Sequence, residues 1–188
     1  MGLDLDSIAL EDVPEEGDTF EDNARSKALA YAAATGDITI SEDSGLVIPA
    51  LGGLPGPWSA RFADMGLDRT VVPSGRPREV LDFLNNQKVL QGMAKIPQPH
   101  RAAYFVVRLV VAHKGEVLFE AGGEAHGWIS EEARGTHGFG YDPIFVGQDT
   151  FGKTYAEIDS VRKNLRSHRK QVLKDGLPKP FVKGCYHD

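Results

Sequence analysis

The chain has 188 residues, 41% of them apolar and 26% charged, which is the balance of one globular domain with a real core. Its formal net charge of −6 argues against a general nucleic-acid-binding surface, so a phosphate ligand would have to be met by locally concentrated cations or a metal. A lone cysteine, Cys185, excludes an internal disulfide and a thiolate cluster, and the acidic opening Met1-Gly2-Leu3-Asp4-Leu5-Asp6 is unlike a signal peptide, so a cytoplasmic location is expected.

In chain order, Glu21 to Thr35 is rich in Ala, Leu, Lys and Arg and predicts a helix, with Thr19 and Asp22 as a capping box and Gly36 as its stop. Asp37 to Ser41 predicts a short strand ending directly in an acidic turn, Ser41-Glu42-Asp43-Ser44-Gly45. Gly52-Gly53-Leu54-Pro55-Gly56-Pro57 must be irregular, because its glycines and prolines can continue neither a helix nor a central strand. Pro77 to Gln87 predicts a second helix, with Pro77 suited to the first turn. Arg101 to Ala112 and Glu116 to Ala121 flank Lys114-Gly115 as a hairpin of two strands; the most apolar part, Tyr104 to Ala112, is interrupted by Arg108 and is far below the ~20 residues of a membrane span. Gly135 to Asp142 is a second glycine-rich loop, and Asp159 to Asp175 predicts a last helix, stopped by Gly176 and Pro178. This order suggests an α/β fold with a mixed sheet, in which sites gather where strands end in loops.

Glu42 and Asp43 are neighbouring carboxylates, and on a strand neighbours face opposite ways, so only one should enter a given cleft. A carboxylate with nearby carbonyls and water suits Mg²⁺; Ser44 can donate to a phosphate oxygen, and Gly45 would let the backbone approach a ligand. A polar turn that merely caps a strand fits this local pattern equally well. Gly138-Phe139-Gly140-Tyr141-Asp142-Pro143 alternates glycines with aromatics, and Phe139 or Tyr141 offers a flat face for a base, although an aromatic plug of the core is the plainer alternative. Lys163-Asn164-Leu165-Arg166-Ser167-His168-Arg169 concentrates positive charge in an acidic chain. Val161, Leu165, His168 and Val172 share one helical face, which turns His168 inward. Lys163 points ~140° away from His168 on a straight helix, so a break near Ser167 is expected if both serve one ligand. Arg61 could clamp a phosphate or hold a loop through a carboxylate, the second slightly ahead. There is no Gly-x-Ser-x-Gly elbow, no P-loop, and no zinc-like spacing among the histidines.

Six segments together, Thr19-Phe20-Glu21-Asp22-Asn23-Ala24, Ser41-Glu42-Asp43-Ser44-Gly45-Leu46, Gly53-Leu54-Pro55-Gly56, Ser59-Ala60-Arg61-Phe62, Gly138-Phe139-Gly140-Tyr141-Asp142-Pro143 and Ser167-His168-Arg169, resemble the inosine triphosphate pyrophosphatase family over about Glu15 to Leu173. The resemblance implies an elongated α/β fold with two lobes around a central cleft, and Mg²⁺-dependent hydrolysis of ITP, dITP and XTP to the monophosphate and pyrophosphate. It also implies a homodimer and a small nucleotide as substrate, while the net charge and the lack of a long apolar stretch lead one to expect neither nucleic acid nor membrane as a partner. Carried over by position, Asp43 is the acid that binds metal and activates water, with Glu15 as the second metal carboxylate in a run, Glu15-Glu16, that leaves the register open. Ser44 contacts phosphate, and Phe139 stacks on the base with Gly140, Tyr141 and Asp142 completing its wall. Lys163 binds phosphate or base, and His168 and Arg169 read the purine. The departure is at the N-terminus. Family members carry a strand, a Thr/Ser-x-Asn-x-x-Lys loop and a helix before the part that matches Gly2-Leu3-Asp4-Leu5, and Asn23 falls in the predicted first helix instead. The expectation is a single domain over 1–188 without that strand and helix, with an uncovered sheet edge. A nucleotide-binding protein without hydrolysis is the alternative.

Overall fold

The structure, a computed structural model, describes residues 13–15, 17–166 and 168–172. Thr19 opens the first helix, α1 (Phe20–Thr35), accepting from the Asp22 amide at 3.1 Å, and Gly36 closes it in the left-handed region with φ 72°. The capping box is half met: Asp22 does not reach back to the backbone but accepts the Thr19 hydroxyl proton at 2.6 Å. Ala24, Ala28 and Ala32, one turn apart, pack against Val110 and Ala112 of the sheet, and their small size lets the helix lie close.

Among the described residues the sheet has four strands in the order β1-β2-β3-β4: β1 (Thr39–Val47), β2 (Ala102–His113), β3 (Glu116–Ile129) and β4 (Phe145–Gly147). The expected helices and sheet are present. Every pairing among the described residues is antiparallel, however, where a mixed sheet was expected. Val47, the last residue of β1, lies opposite Tyr104 near the start of β2, so the long connection leaves and re-enters at one end of the sheet and never has to travel back along it.

A second correction concerns the acidic segment. Ser41 to Gly45 is not a turn after a strand; it is the middle of β1, paired from Ser41↔Val110 to Gly45↔Val106. The long apolar run of β2 supplies a ladder that local composition does not reveal. The hairpin turns as expected at Lys114-Gly115, both in the left-handed region with φ 50° and 82°, but β3 continues past Ala121 to Ile129. Its glycines are there for close approach: a side chain at Gly122 would strike Arg108, and one at Gly127 the Val146 carbonyl of β4.

Beyond the end of β1 the chain forms a 3-10 helix (Gly56–Asp64) and then α2 (Arg78–Met93), which starts one residue after Pro77 and outruns the expected end by a turn and a half. Asn85 of α2 accepts from the Ala63 amide at 2.6 Å, and the Lys88 ammonium donates to the Phe62 and Met65 carbonyls at 2.8 and 2.5 Å, so α2 holds the 3-10 helix by its backbone. Leu46, Ile48, Phe62, Val89, Met93 and Phe145 form a second packing centre here, apart from the alanine face of α1. The Arg101 guanidinium, 3% exposed, donates to the carbonyls of Met93, Ile96, Ile129 and Ser130 at 2.6 to 2.9 Å and ties α2 to the end of the sheet.

The last helix is described as α3 (Ser160–Arg166) and α4 (His168–Gln171); Ser167, where a break was expected, lies outside the described residues. Val172 is buried against Val107, Leu109 and Val111, whereas Val161 is 69% exposed, so the expected inward stripe does not include the first turn. No helix among the described residues is long and apolar enough to cross a membrane.

Candidate active site

The alternation of β1 divides its chemistry between two faces. Asp43 points toward α1 and is 8% exposed; its Oδ2 accepts from Asn23 Nδ2 at 3.0 Å, and its Oδ1 lies 3.7 Å from the Lys27 ammonium. The same ammonium donates to Glu15 Oε1 at 2.6 Å, and Arg61 donates to the Glu15 backbone carbonyl while its other amino group lies 3.9 Å from the carboxylate. Burial pushes the Asp43 carboxyl above the ordinary carboxylate range, opposed by Asn23 and Lys27 and reinforced by the charge of Glu15. Asp43 and Glu15 thus share one cation. A divalent ion can take the position between them that the Lys27 ammonium now serves electrostatically. No group of three or more metal-binding side chains stands together among the described residues, so the remaining positions would fall to water or phosphate oxygens. That donor set suits Mg²⁺.

Glu42 and Ser44 face the other way, into a cavity of about 440 Å³. Arg169 reaches both, donating from Nε to Glu42 Oε1 at 2.6 Å and from its terminal amino group to Ser44 Oγ at 2.7 Å. Of the two neighbouring carboxylates, Glu42 is therefore the one that enters this cavity, while Asp43 lies behind the strand. Gly45 also has a different reason from the one expected. A side chain there would strike the Ser59 hydroxyl, the Gly56 carbonyl and the Phe20 ring, so the glycine admits protein rather than ligand.

The opposite wall is the loop Gly138 to Asp142. Phe139 is 63% exposed and presents its ring at the cavity, with the Lys163 ammonium 4.3 Å from the ring centroid and paired with Asp142. Asp142 also accepts from the Phe139 amide at 2.8 Å, and Gly138, with φ 76°, leaves the space that its carboxylate fills. Burial drives the Asp142 carboxyl above the usual range, outweighing the hydrogen bond and charge of Lys163. Tyr141 is 4% exposed and donates to the Ser59 carbonyl at 2.8 Å, so it forms the floor and leaves the flat face to Phe139. Burial, with a smaller push from Asp82, holds its phenol well above its ordinary value. Lys163 and Arg169 both line this cavity. The His168 side chain lies outside the described residues.

Sequence reasoning missed Lys27, although it stands four residues after Asn23 on the same helical face, a spacing that sets both toward Asp43. It also missed Arg78 and Asp82 of α2, which line the cavity. Arg61, whose structural role was slightly favoured, holds Glu15.

A profile of the Ham1 family matches residues 2–177. The chain belongs to the Ham1 family. A Desulforamulus reducens protein named dITP/XTP pyrophosphatase is 40% identical over 166 residues, covering 88% of this chain and 76% of that protein. A Streptococcus thermophilus protein of the same name is 42% identical over 88% of this chain; the Ham1 chain described here spans about half of its length, 47%. The solved structure of the Staphylococcus aureus Ham1 protein superposes with a TM-score of 0.76 at 33% identity, covering 95% of this chain and 84% of that one. The family resemblance read from six short segments is thus borne out, and the α/β fold is that of Ham1 structures.

Proposed function

We propose that this Ham1 chain hydrolyses non-standard purine nucleoside triphosphates (ITP, dITP and XTP) to the monophosphate and pyrophosphate, with Mg²⁺ as its cofactor. One observation carries the reading: an open aromatic face flanked by two cations lies across a single strand from a buried carboxylate that shares a cation with a second one. The names of the relatives support the same activity.

In this reading Phe139 stacks on the base, a contact of about 1–3 kcal/mol per base, and Lys163 leaves the ring face for a phosphate or the base edge. A donor of Arg169, or of His168 as the family resemblance has it, would donate to a keto oxygen at position 6 of the purine and reject an amino group there, because a buried donor left unpaired is costly. The Ser44 hydroxyl, released by Arg169, meets a phosphate oxygen. Among the described residues β1 is the end strand of the sheet order, and in this reading the phosphates pass beside it to reach Asp43 and Lys27. Mg²⁺ held by Asp43 and Glu15 would supply charge neutralisation to the phosphates. Asp43 takes the proton of the water whose oxygen bonds to the α-phosphorus as the bond to the bridging oxygen breaks and pyrophosphate leaves. The Lys27 ammonium offsets the charge gathered on that oxygen.

Pyrophosphate release from dITP with Mg²⁺, measured beside Asp43→Asn, tests the reading. The native chain should release it and the variant should not; release no faster than the variant refutes hydrolysis and leaves a nucleotide-binding protein. The homodimer and the cytoplasmic location belong to the same proposal. Light scattering behind size exclusion checks the dimer, and a fluorescent fusion in cells checks the location.

A further inference from the structure

The loop that carries Phe139 is held partly by its own bonds, the Phe139 amide to the Asp142 carboxylate and the Asp142 amide to the Phe139 carbonyl, and partly from outside. Its central residue, Gly140, is in the left-handed region with φ 61°, and a side chain there would meet nothing within 4 Å, so no neighbour packs against the turn at that position. Both polar groups of Gly140 are instead held by one helix. Its amide donates to Asp82 Oδ2 at 2.8 Å, and its carbonyl accepts from Asn86 Nδ2 at 2.8 Å. Asp82 and Asn86 are four residues apart, hence neighbours on one face of α2. A further turn back, Arg78 Nε donates to the other oxygen of Asp82 at 2.9 Å and fixes the plane of that carboxylate. Asn86 is almost fully buried, and its Oδ1 finds no donor among the described residues. A buried acceptor left alone is costly and asks for an explanation. Turning the amide round would satisfy Oδ1 no better and would forfeit the bonds from Nδ2 to the Asp82 and Gly140 carbonyls.

We infer that Asp82, with Asn86, is a positioning residue for the nucleotide pocket: the pair clamps the Gly140 peptide from α2 and so sets where the Phe139 ring meets the base. The inference rests on the reading of the cavity as a base site. Neither residue touches the phosphate-facing groups on the far side of β1, so the clamp acts on recognition. Loop placement by a neighbouring rigid helix is how a flat binding face is kept within a fraction of an ångström of its partner. Arg78 and Asp82 line the cavity as well, but both oxygens of Asp82 are engaged within the protein.

The test compares Asp82→Ala with Asp82→Asn, since asparagine keeps an acceptor for the Gly140 amide and alanine does not. With IMP as the probe, Asp82→Ala should weaken binding about tenfold, the scale of one lost hydrogen bond to a backbone amide, and Asp82→Asn should recover most of it. KM for dITP should rise by a larger factor than kcat falls. Amide exchange read at Gly140 should quicken in the alanine variant and stay slow in the asparagine variant. Unchanged IMP affinity, or unchanged exchange at Gly140, in Asp82→Ala overturns the clamp; so does a loss in Asp82→Asn equal to that in alanine. A native chain that does not bind IMP overturns the nucleotide reading instead, and the exchange at Gly140 still decides whether the clamp exists.

Discussion

At the scale of single residues, the site depends on where a side chain cannot be. Gly138 combines a left-handed backbone with the space taken by the Asp142 carboxylate. Gly138→Ala should cost about 1–3 kcal/mol, read as a lower urea midpoint, and should expose the Phe139 amide to exchange. Asp142 itself gives a pH signature. Its folded carboxyl is raised above the unfolded value of about 3.9 by burial. The folded state therefore holds the proton to higher pH than the unfolded chain does. The stability it contributes is full below the unfolded value and is lost as pH rises through the raised one. Urea midpoints from pH 4 upward should fall across that window in the native chain and fall less in Asp142→Asn; parallel curves would refute it. Asp43 shows what a sequence can and cannot say at this scale. Its residue type and its neighbour Ser44 marked the segment as chemical. Which face each would occupy depended on the segment being a strand, and that depended on β2, sixty residues away.

Among the elements, those with local punctuation were legible. Thr19 and Gly36 bound α1 through their own hydrogen bonds, and Lys114-Gly115 takes the backbone that a tight hairpin requires. Thr19→Ala should lower stability by about 1 kcal/mol, because the Asp22 amide loses its acceptor; equilibrium unfolding checks it. Elements defined by a partner were not legible. β1 runs through four polar residues because β2 lies beside it, and β3 runs through Gly122 and Gly127 because Arg108 and Val146 press on it there. Sequence rules read those glycines as breakers, and the neighbours that require them are distant in the chain. The cavity had the same character: the aromatic loop and the cationic helix were visible as pieces, but the α2 wall of Arg78 and Asp82 was not.

For the whole molecule, Arg101 ties the end of α2 to the end of β3 through four carbonyls from two stretches of chain, Met93 and Ile96 on one side and Ile129 and Ser130 on the other. Burial lowers its pKa, but a guanidinium keeps its charge in proteins. Arg101→Ala should cost about 3 kcal/mol or more, since hydrogen bonds to a charged donor are each worth about 1.5–3. Arg101→Lys should recover little, because a point ammonium cannot serve a fork of four acceptors. Chemical denaturation of both variants decides it. The same scale gives β1 a wider meaning. In the proposed reading, a strand that shows Glu42 and Ser44 to the cavity and Asp43 to α1 separates the choice of a nucleotide from its hydrolysis. On that reading, a laboratory library randomised on the cavity face alone should change which bases are accepted while the side of β1 that carries Asp43 is left as it is.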